Sequence, residues 1–400
     1  MKNFLFVFFS FAYSFFILSI FLMSQKRIYF DHAASTPLDK GVLQAMLPYL
    51  SQHQGNPNST HQPGRYLKNA LEEARYNLAE LLGLSANELY FVSGGTEANN
   101  LALKGLIQEH NIHHVISSEI EHPSVREVLS ELAQHQGVRL HYLRLSPWGQ
   151  PDMNHLESLL KKLHKKPTLL SLMHVHNELG TLTDMDSIQF LSQKYSVWWH
   201  SDRVQALGHP ELNSSWTGLH SFVASAHKFH GPKGIGLLYL QQGNKLSPQV
   251  HGGGQERNLR SGTENLAAIV GMAKALALHH QHWNTPSRQS DLHDTKQYAI
   301  QRLQAWREDI SFIPEKTHPC ILHIGIPGQE QETLAMRLDI EGISVSGGSA
   351  CGSGAAHRSY VLDVLDFPST HAYLRLSFDQ NNTREEIDIF MEILSKISES

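Results

Sequence analysis

The sequence predicts an α/β domain on a mostly parallel sheet, followed by a smaller α+β domain. Three observations carry that prediction. Short apolar runs alternate with amphipathic segments from Ile28 onward, the composition turns polar near residue 283, and 400 residues can bury more than one core.

The runs "ELYFVS" (Glu88–Ser93), "HHVISS" (His113–Ser118), "LLSLMHV" (Leu169–Val175), "SVWWHS" (Ser196–Ser201), "SFVAS" (Ser221–Ser225) and "GIGLLYL" (Gly234–Leu240) read as buried strands. Helical patterns lie between several of them. In "GRYLKNALEEARYNLAELLG" the residues Leu67, Leu71, Ala74, Leu78, Leu81 and Leu82 share one face. Strand, helix and strand repeated this way give a parallel sheet, whose ligands sit at the carboxyl ends of the strands. After the helix "LAAIVGMAKALALHH" comes the polar "QHWNTPSRQSDLHDTKQ", and then "ILHIGI", "ISVSGGSACGSG" and "YLRLSF" between helices. Residues 41–282 are therefore assigned to the large domain and 283–400 to the smaller one. There is no internal repeat.

Hydrophobic content of 41% and charged content of 18% describe a globular chain, and a net charge of −5 gives no support for nucleic-acid binding. Neither an H-E-x-x-H nor a paired C-x-x-C spacing occurs, which argues against a dedicated zinc site. Two cysteines, Cys320 and Cys351, exclude a disulfide framework and suit a reducing compartment. The run "FLFVFFSFAYSFFILSIFLM" (Phe4 to Met23) is long enough to cross a bilayer and lacks a following cleavage site. It is read either as an anchor or, preferably, as sequence upstream of a true start at Met23, with the protein itself cytoplasmic.

Four places carry chemistry. The first strand runs into Gly94, Gly95 and Thr96, which open a helix. Free N–H groups there suit a phosphate, although Gly-Gly-Thr is also an ordinary cap. Asp202 ends the strand "WWHSD" with Gln205 three residues on; it serves either as a helix cap or as the partner of a buried cationic nitrogen. Lys228, in "SAHKFHGPKGIG", follows the next strand, with Ser225 and His227 placed to hold a phosphate. A lysine that forms a Schiff base must lose its proton near neutral pH and therefore needs a desolvated or cationic setting. An anion cradle, an acid at strand level and such a lysine together specify pyridoxal 5′-phosphate. Finally, Cys351 sits among four glycines in "SVSGGSACGSGAAH", the setting of an exposed nucleophilic thiol, whereas Cys320 in "PCILHIGI" reads as core. Arg375 in "YLRLSF" is either a surface arginine or a carboxylate-binding fork.

With these residues in view the chain resembles the cysteine desulfurases of the class V aminotransferase group, fold-type I pyridoxal-phosphate enzymes. The resemblance runs over residues 28–395 through "YFDHAASTPLD", "GNPNSTHQPGR", "SGGTEANNLALKG", "EIEHPSV", "MHVHNELGT", "HSDRVQALG", "SAHKFHGPKGIGLLY", "HGGGQERNLRSGTEN" and "SGGSACGSG". It implies a seven-stranded sheet in the large domain, with residues 24–40 packing on the small one. It also implies that Lys228 carries the cofactor, Asp202 pairs with its ring nitrogen and Gln205 touches its phenolic oxygen. His122 would stack on the ring and shuttle a proton, and Gly95, Thr96, Ser225 and His227 would bind the phosphate. Thr263 would reach the phosphate of a second subunit, which implies a homodimer. Asn177, beside the cofactor, and Arg375 would hold the carboxylate of L-cysteine. Cys351 would take the sulfur as a persulfide, with a further role as a transient iron–sulfur cluster ligand. The S-A-C-x-S loop resembles the subgroup that feeds iron–sulfur cluster assembly or tRNA thiolation, so a sulfur-acceptor protein such as an iron–sulfur scaffold is the implied partner. A selenocysteine lyase, another class V aminotransferase-type enzyme and a non-catalytic sulfur-transfer scaffold are the alternatives.

Two places depart from the family pattern. Arg203 follows Asp202 where a small residue is usual, which reads as a bulky cation near the cofactor ring. "DQNN", beginning at Asp379 and Gln380, stands where glycine or serine and then arginine are usual.

Overall fold

The computed structural model describes residues 27–209, 212, 216–313, 316–347 and 358–399. The apolar stretch before Met23 and Cys351 with its neighbours lie outside the described residues. Among the described residues no helix is long and apolar enough to cross a membrane.

The strands in chain order are β1 (Ile28–Tyr29), β2 (Leu89–Val92), β3 (His114–Ser117), β4 (Arg139–Tyr142), β5 (Thr168–Ser171) and β6 (Trp198–Asp202). They continue with β7 (Ser221–Ser225), β8 (Gly236–Leu240), β9 (Ser311–Phe312), β10 (Ile321–Pro327), β11 (Ile343–Ser344) and β12 (His371–Ser377). A seven-stranded sheet has the order β2-β8-β7-β6-β5-β3-β4. Every pairing in it is parallel except those of β8, which runs against both neighbours. The central strands are apolar on both faces because helices cover both faces.

One strand was not recognised in the sequence, and one expectation needs correction. β4 has the sequence RLHY and is a largely exposed edge, so it lacks the apolar run by which its neighbours were recognised. The run Leu169–Val175 leaves the ladder at Ser171, and the residues beyond it turn toward the end of the sheet, where Met173 and Val175 line a cavity.

The helix Gln62–Leu82 shows how sequence sets packing. Leu67, Ala70, Leu71, Ala74, Leu78 and Leu82 are buried against the helix Leu266–Trp283, and Gly83 ends the helix at φ 65°, a conformation glycine adopts without strain. Burying such leucines contributes about 1.5–3 kcal/mol each relative to exposure.

A separate apolar core joins Ile28 and Phe30 to Trp283, Ala299, Leu303, Ile324, Leu374 and Phe390. It sits under the sheet β12-β10-β9. β1 pairs in parallel with β11, so the start of the described chain is stitched into its last third. The polar stretch near residue 283 is the beginning of the helix Pro286–Trp306.

Candidate active site

The carboxyl ends of β2, β3, β5, β6 and β7 converge on a cavity of ≈ 280 Å³. Its lining includes Gly95, Thr96, His122, Asn177, Asp202, Gln205, Ser225, His227, Lys228 and Arg375. These are ten of the residues singled out in the sequence, brought together from six separate segments of the chain. Thr263 is exposed and does not line this cavity.

The helix Gly95–Glu109 begins directly after β2, and its N-cap Gly94 makes no side-chain capping bond. Its first N–H groups are thus available to a ligand, with Thr96 and Ser225 beside them. β8 packs tightly here: a Cβ on Gly236 would stand 2.7 Å from the Gly94 backbone, which explains the glycine after "GPKGI".

Asp202 ends β6. Its Oδ1 accepts from Val204 N at 2.9 Å and its Oδ2 from Asn99 Nδ2 at 2.8 Å. Asn99 Nδ2 also donates to Ser124 Oγ, so Asn99 Oδ1 is left to accept from His200 Nε2 at 3.0 Å. That fixes the His200 tautomer, leaving Nδ1 to accept from the Ser221 hydroxyl at 2.8 Å. Burial lowers the His200 pKa to about 4, so the ring is neutral and the network carries a single negative charge, at Asp202.

Lys228 closes the 3₁₀ turn Ala226–Lys228 after β7. Its Nζ donates to the Ala33 carbonyl and, at 3.1 Å, to the Ala34 carbonyl. Gln205 Nε2 donates to the same Ala33 oxygen at 2.8 Å. His122 Nδ1 accepts from Ser124 N, and burial lowers the ring's pKa, opposed by Asp202 and reinforced by Lys228. A neutral, stackable imidazole results. Burial, then Lys228 and Lys233, lower the His227 pKa to about 4; a bound phosphate would oppose that shift.

Arg375 comes from β12. One nitrogen, Nη1, donates to the Asn177 carbonyl at 2.8 Å, Nη2 donates to Asp31 Oδ1 at 2.6 Å, and Nε is buried without a hydrogen-bond partner. Asn177 is presented by a turn built on His176, whose Nδ1 accepts from Glu178 N and Leu179 N while Nε2 donates to the Ile120 carbonyl. Glu178 also lines the cavity, and burial raises its pKa.

Asn99, His176, Glu178 and His200 are functional candidates that the sequence reading missed. Only their place inside the recognised motifs could have pointed to them. Arg203 requires a correction. Its guanidinium does not enter the cavity; it lies over Trp216, 4.7 Å from the ring centroid, and over Phe222 at 5.9 Å. Successive residues of a strand end face opposite ways, so the residue after Asp202 points into the core.

The donor set fits pyridoxal 5′-phosphate. The uncapped helix N-terminus, Thr96 and Ser225 suit a phosphate, the Asn99-held carboxylate suits a pyridinium nitrogen, and Lys228 lines the same cavity.

The family model for aminotransferase class-V matches residues 28–390. The chain is 36% identical to "Cysteine desulfurase IscS" of Dictyoglomus turgidum over 94% of its length and 95% of that protein's. It is 34% identical to the protein of that name from Methanosarcina thermophila, over 93% of this chain and 92% of the other. Among solved structures it is similar to a NifS-like protein at a TM-score of 0.84 and 30% identity, covering 94% of this chain and 100% of that one. A structure described as SspA in complex with cysteine aligns at a TM-score of 0.74 and 28% identity, covering 90% of this chain and 100% of that one.

Proposed function

The chain belongs to the aminotransferase class-V family, and from that premise we propose that it is a cysteine desulfurase, turning L-cysteine into L-alanine and leaving the sulfur on Cys351. Enzymes of this group use pyridoxal 5′-phosphate. What carries the reading is the convergence of Lys228, Asp202, His122 and an uncapped helix N-terminus on one cavity.

When bound, the cofactor supplies an aldehyde that condenses with amines and a ring that accepts electron density from the substrate Cα. Lys228 would be the amine that holds it and, with its amine free, the base that takes and returns the Cα proton. Asp202 would keep a proton on the ring nitrogen, and the Asn99–His200 network holds that carboxylate in place. Gly95, Thr96, Ser225 and His227 would hold the phosphate, and Gln205 and Asn177 would contact the ring. Arg375, which lines the cavity, would hold the substrate carboxylate. The Cys351 sulfur attacks the substrate sulfur. An S–S bond forms, the substrate C–S bond breaks, and the balance is L-cysteine plus thiol to L-alanine plus persulfide.

The same proposal includes the division into residues 41–282 and 283–400, a cytoplasmic location, and a homodimer in which Thr263 reaches the second subunit's cofactor. It also includes an acceptor protein for iron–sulfur cluster assembly or tRNA thiolation, with Cys351 as a transient cluster ligand. Incubating the pure chain with pyridoxal 5′-phosphate, L-cysteine and a thiol should yield alanine and sulfide in equal amounts. A coloured protein that makes neither would defeat the reading.

A further inference from the structure

Beside the candidate site lies a second, smaller chamber of ≈ 50 Å³, lined among others by His32, Gln205, His209, Lys228, His230, His279, His318 and Asp379. The cavity on the other side of Lys228 is the proposed cofactor site, so the lysine stands between the two. Asp379 is the first residue of the "DQNN" segment, and its side chain is 3% exposed.

The Asp379 carboxylate is divided between two tasks. Oδ1 accepts from Asn381 N at 2.8 Å and Asn381 Nδ2 at 3.1 Å. Oδ2 faces two imidazoles, His230 Nε2 at 3.4 Å and His32 Nδ1 at 3.6 Å. His230 Nδ1 lies 3.1 Å from the Pro37 carbonyl, which can only accept, so that nitrogen carries hydrogen. The Nε2 of a neutral His230 is then a bare lone pair pointed at a carboxylate oxygen. Two acceptors do not rest against each other in a dry interior; a proton or a water has to lie between them. The chamber is large enough for about two or three waters at 10–15 Å³ or more each, and His32 Nδ1, His209 Nδ1, His279 Nε2 and His318 Nε2 have no hydrogen-bond partner in the protein.

The route to the lysine is short. His230 follows Lys228 by two residues, with its N–H on Thr36 Oγ1 at 2.7 Å. His32 precedes Ala33, whose carbonyl receives the Lys228 amine. Alternate residues at the end of β12 and just beyond it grip the same segment: Arg375 holds Asp31, Ser377 Oγ accepts from Ala33 N at 2.9 Å, and Asp379 faces His32.

We propose that Asp379 is a positioning residue for Lys228: with His32 and His230 it shares a proton across a water-holding chamber, and so governs when the lysine gains and loses its own. The proposal rests on the reading of Lys228 as the cofactor-bearing amine. The other titratable groups facing the triad are Tyr29, whose ring stands edge-on to His32 at 4.9 Å between centroids, Asp31 beside His32, His279 from the helix Leu266–Trp283, and His209 after β6. His318, with Lys296 next to it, closes the far wall. None is a carboxylate except Asp31, which is taken by Arg375.

The test compares wild type, D379N and D379E, each loaded with pyridoxal 5′-phosphate, by titrating the visible band with pH. Replacing the carboxylate by an amide removes negative charge near Lys228, so the D379N midpoint should fall by about half a pH unit or more, and D379E should recover most of that shift. A D379N midpoint equal to that of wild type overturns the proposal, as does a D379E midpoint no closer to wild type than D379N. A second arm uses unloaded protein and histidine NMR. Burial lowers the His32 pKa and Asp379 is the main opposing influence, so D379N should lower the His32 midpoint further; an unmoved midpoint also overturns the proposal. A colourless wild type sinks the Lys228 reading instead, and the His32 arm then decides the triad alone.

Discussion

Asn99 Nδ2 lies 2.8 Å from Asp202 Oδ2, and the amide's other end is held by His200 Nε2 at 3.0 Å. The acid at the cavity is therefore aimed by a residue on the helix Gly95–Glu109 and by a histidine two positions earlier on its own strand. Replacing Asn99 with Ala strips a partner from both. The variant should lose about 1–3 kcal/mol of stability and bind pyridoxal phosphate roughly tenfold more weakly, read by denaturant unfolding and absorbance titration. Unchanged cofactor affinity in a folded N99A protein would show that Asp202 needs no such support.

Lys228→Ala should abolish the visible absorbance of the loaded protein and reduce alanine formation by about 10²–10⁴-fold or more. An intact visible band would remove Lys228 from its assigned role.

Cys351→Ser separates the two halves of the chemistry. The loaded variant should keep its colour and its response to L-cysteine yet form no protein-bound persulfide, measured by mass spectrometry. Alanine production at the wild-type rate with a thiol present would reject Cys351 as the sulfur acceptor.

Arg75 and Glu256 form a buried bidentate pair, 2.8 Å at both contacts, and Glu256 Oε2 also accepts from Phe91 N in β2 at 2.9 Å. The pair pins a turn in which Glu256, Arg257 and Asn258 all have positive φ. Glu256→Ala leaves Arg75 buried without its main counter-charge and should cost about 3–5 kcal/mol in denaturant unfolding.

Acid should unfold the protein steeply. Burial lowers the pKa of His174, His176 and His318 to about 3, and of His200 and His323 to about 4. For a base whose folded pKa is depressed, the folded form binds fewer protons than the unfolded one. Its stabilising contribution is complete above the unfolded value near 6.5 and drains as pH falls toward the folded value. Each such histidine costs about 1.4 kcal/mol per pH unit in that window, so five of them cancel a net stability of about 5–15 kcal/mol within one to two units. Circular dichroism should show cooperative loss of structure between about pH 4.5 and 5.5; a fold intact at pH 4 would contradict the neutral-histidine assignment.

Much of the sheet was legible because β2, β3, β6, β7 and β8 are buried on both faces and so read as apolar runs. β4 was not, since an exposed edge needs no such run. Lys228 and Asp202 could be found because chemistry at strand ends has a positional signal. Asn99 and His200 could not, because a polar side chain buried for its hydrogen bonds leaves no periodicity behind. Arg203 misled for a related reason: composition gives its charge, but only the strand's alternation tells which way it faces, and it faces Trp216. The meaning of Asp379 depended on His32, nearly the whole chain away, which no local pattern could supply.

The parallel pairing of β1 with β11, together with the Asp31–Arg375 contact, has a consequence for how the molecule is made. A nascent chain leaving the ribosome carries residues 28–34 long before residues 343–377, yet the former cannot settle until the latter have emerged. The carbonyls that receive the lysine amine therefore find their place only near the end of synthesis, so an enzyme cut short before β12 is left without the seat on which its chemistry depends.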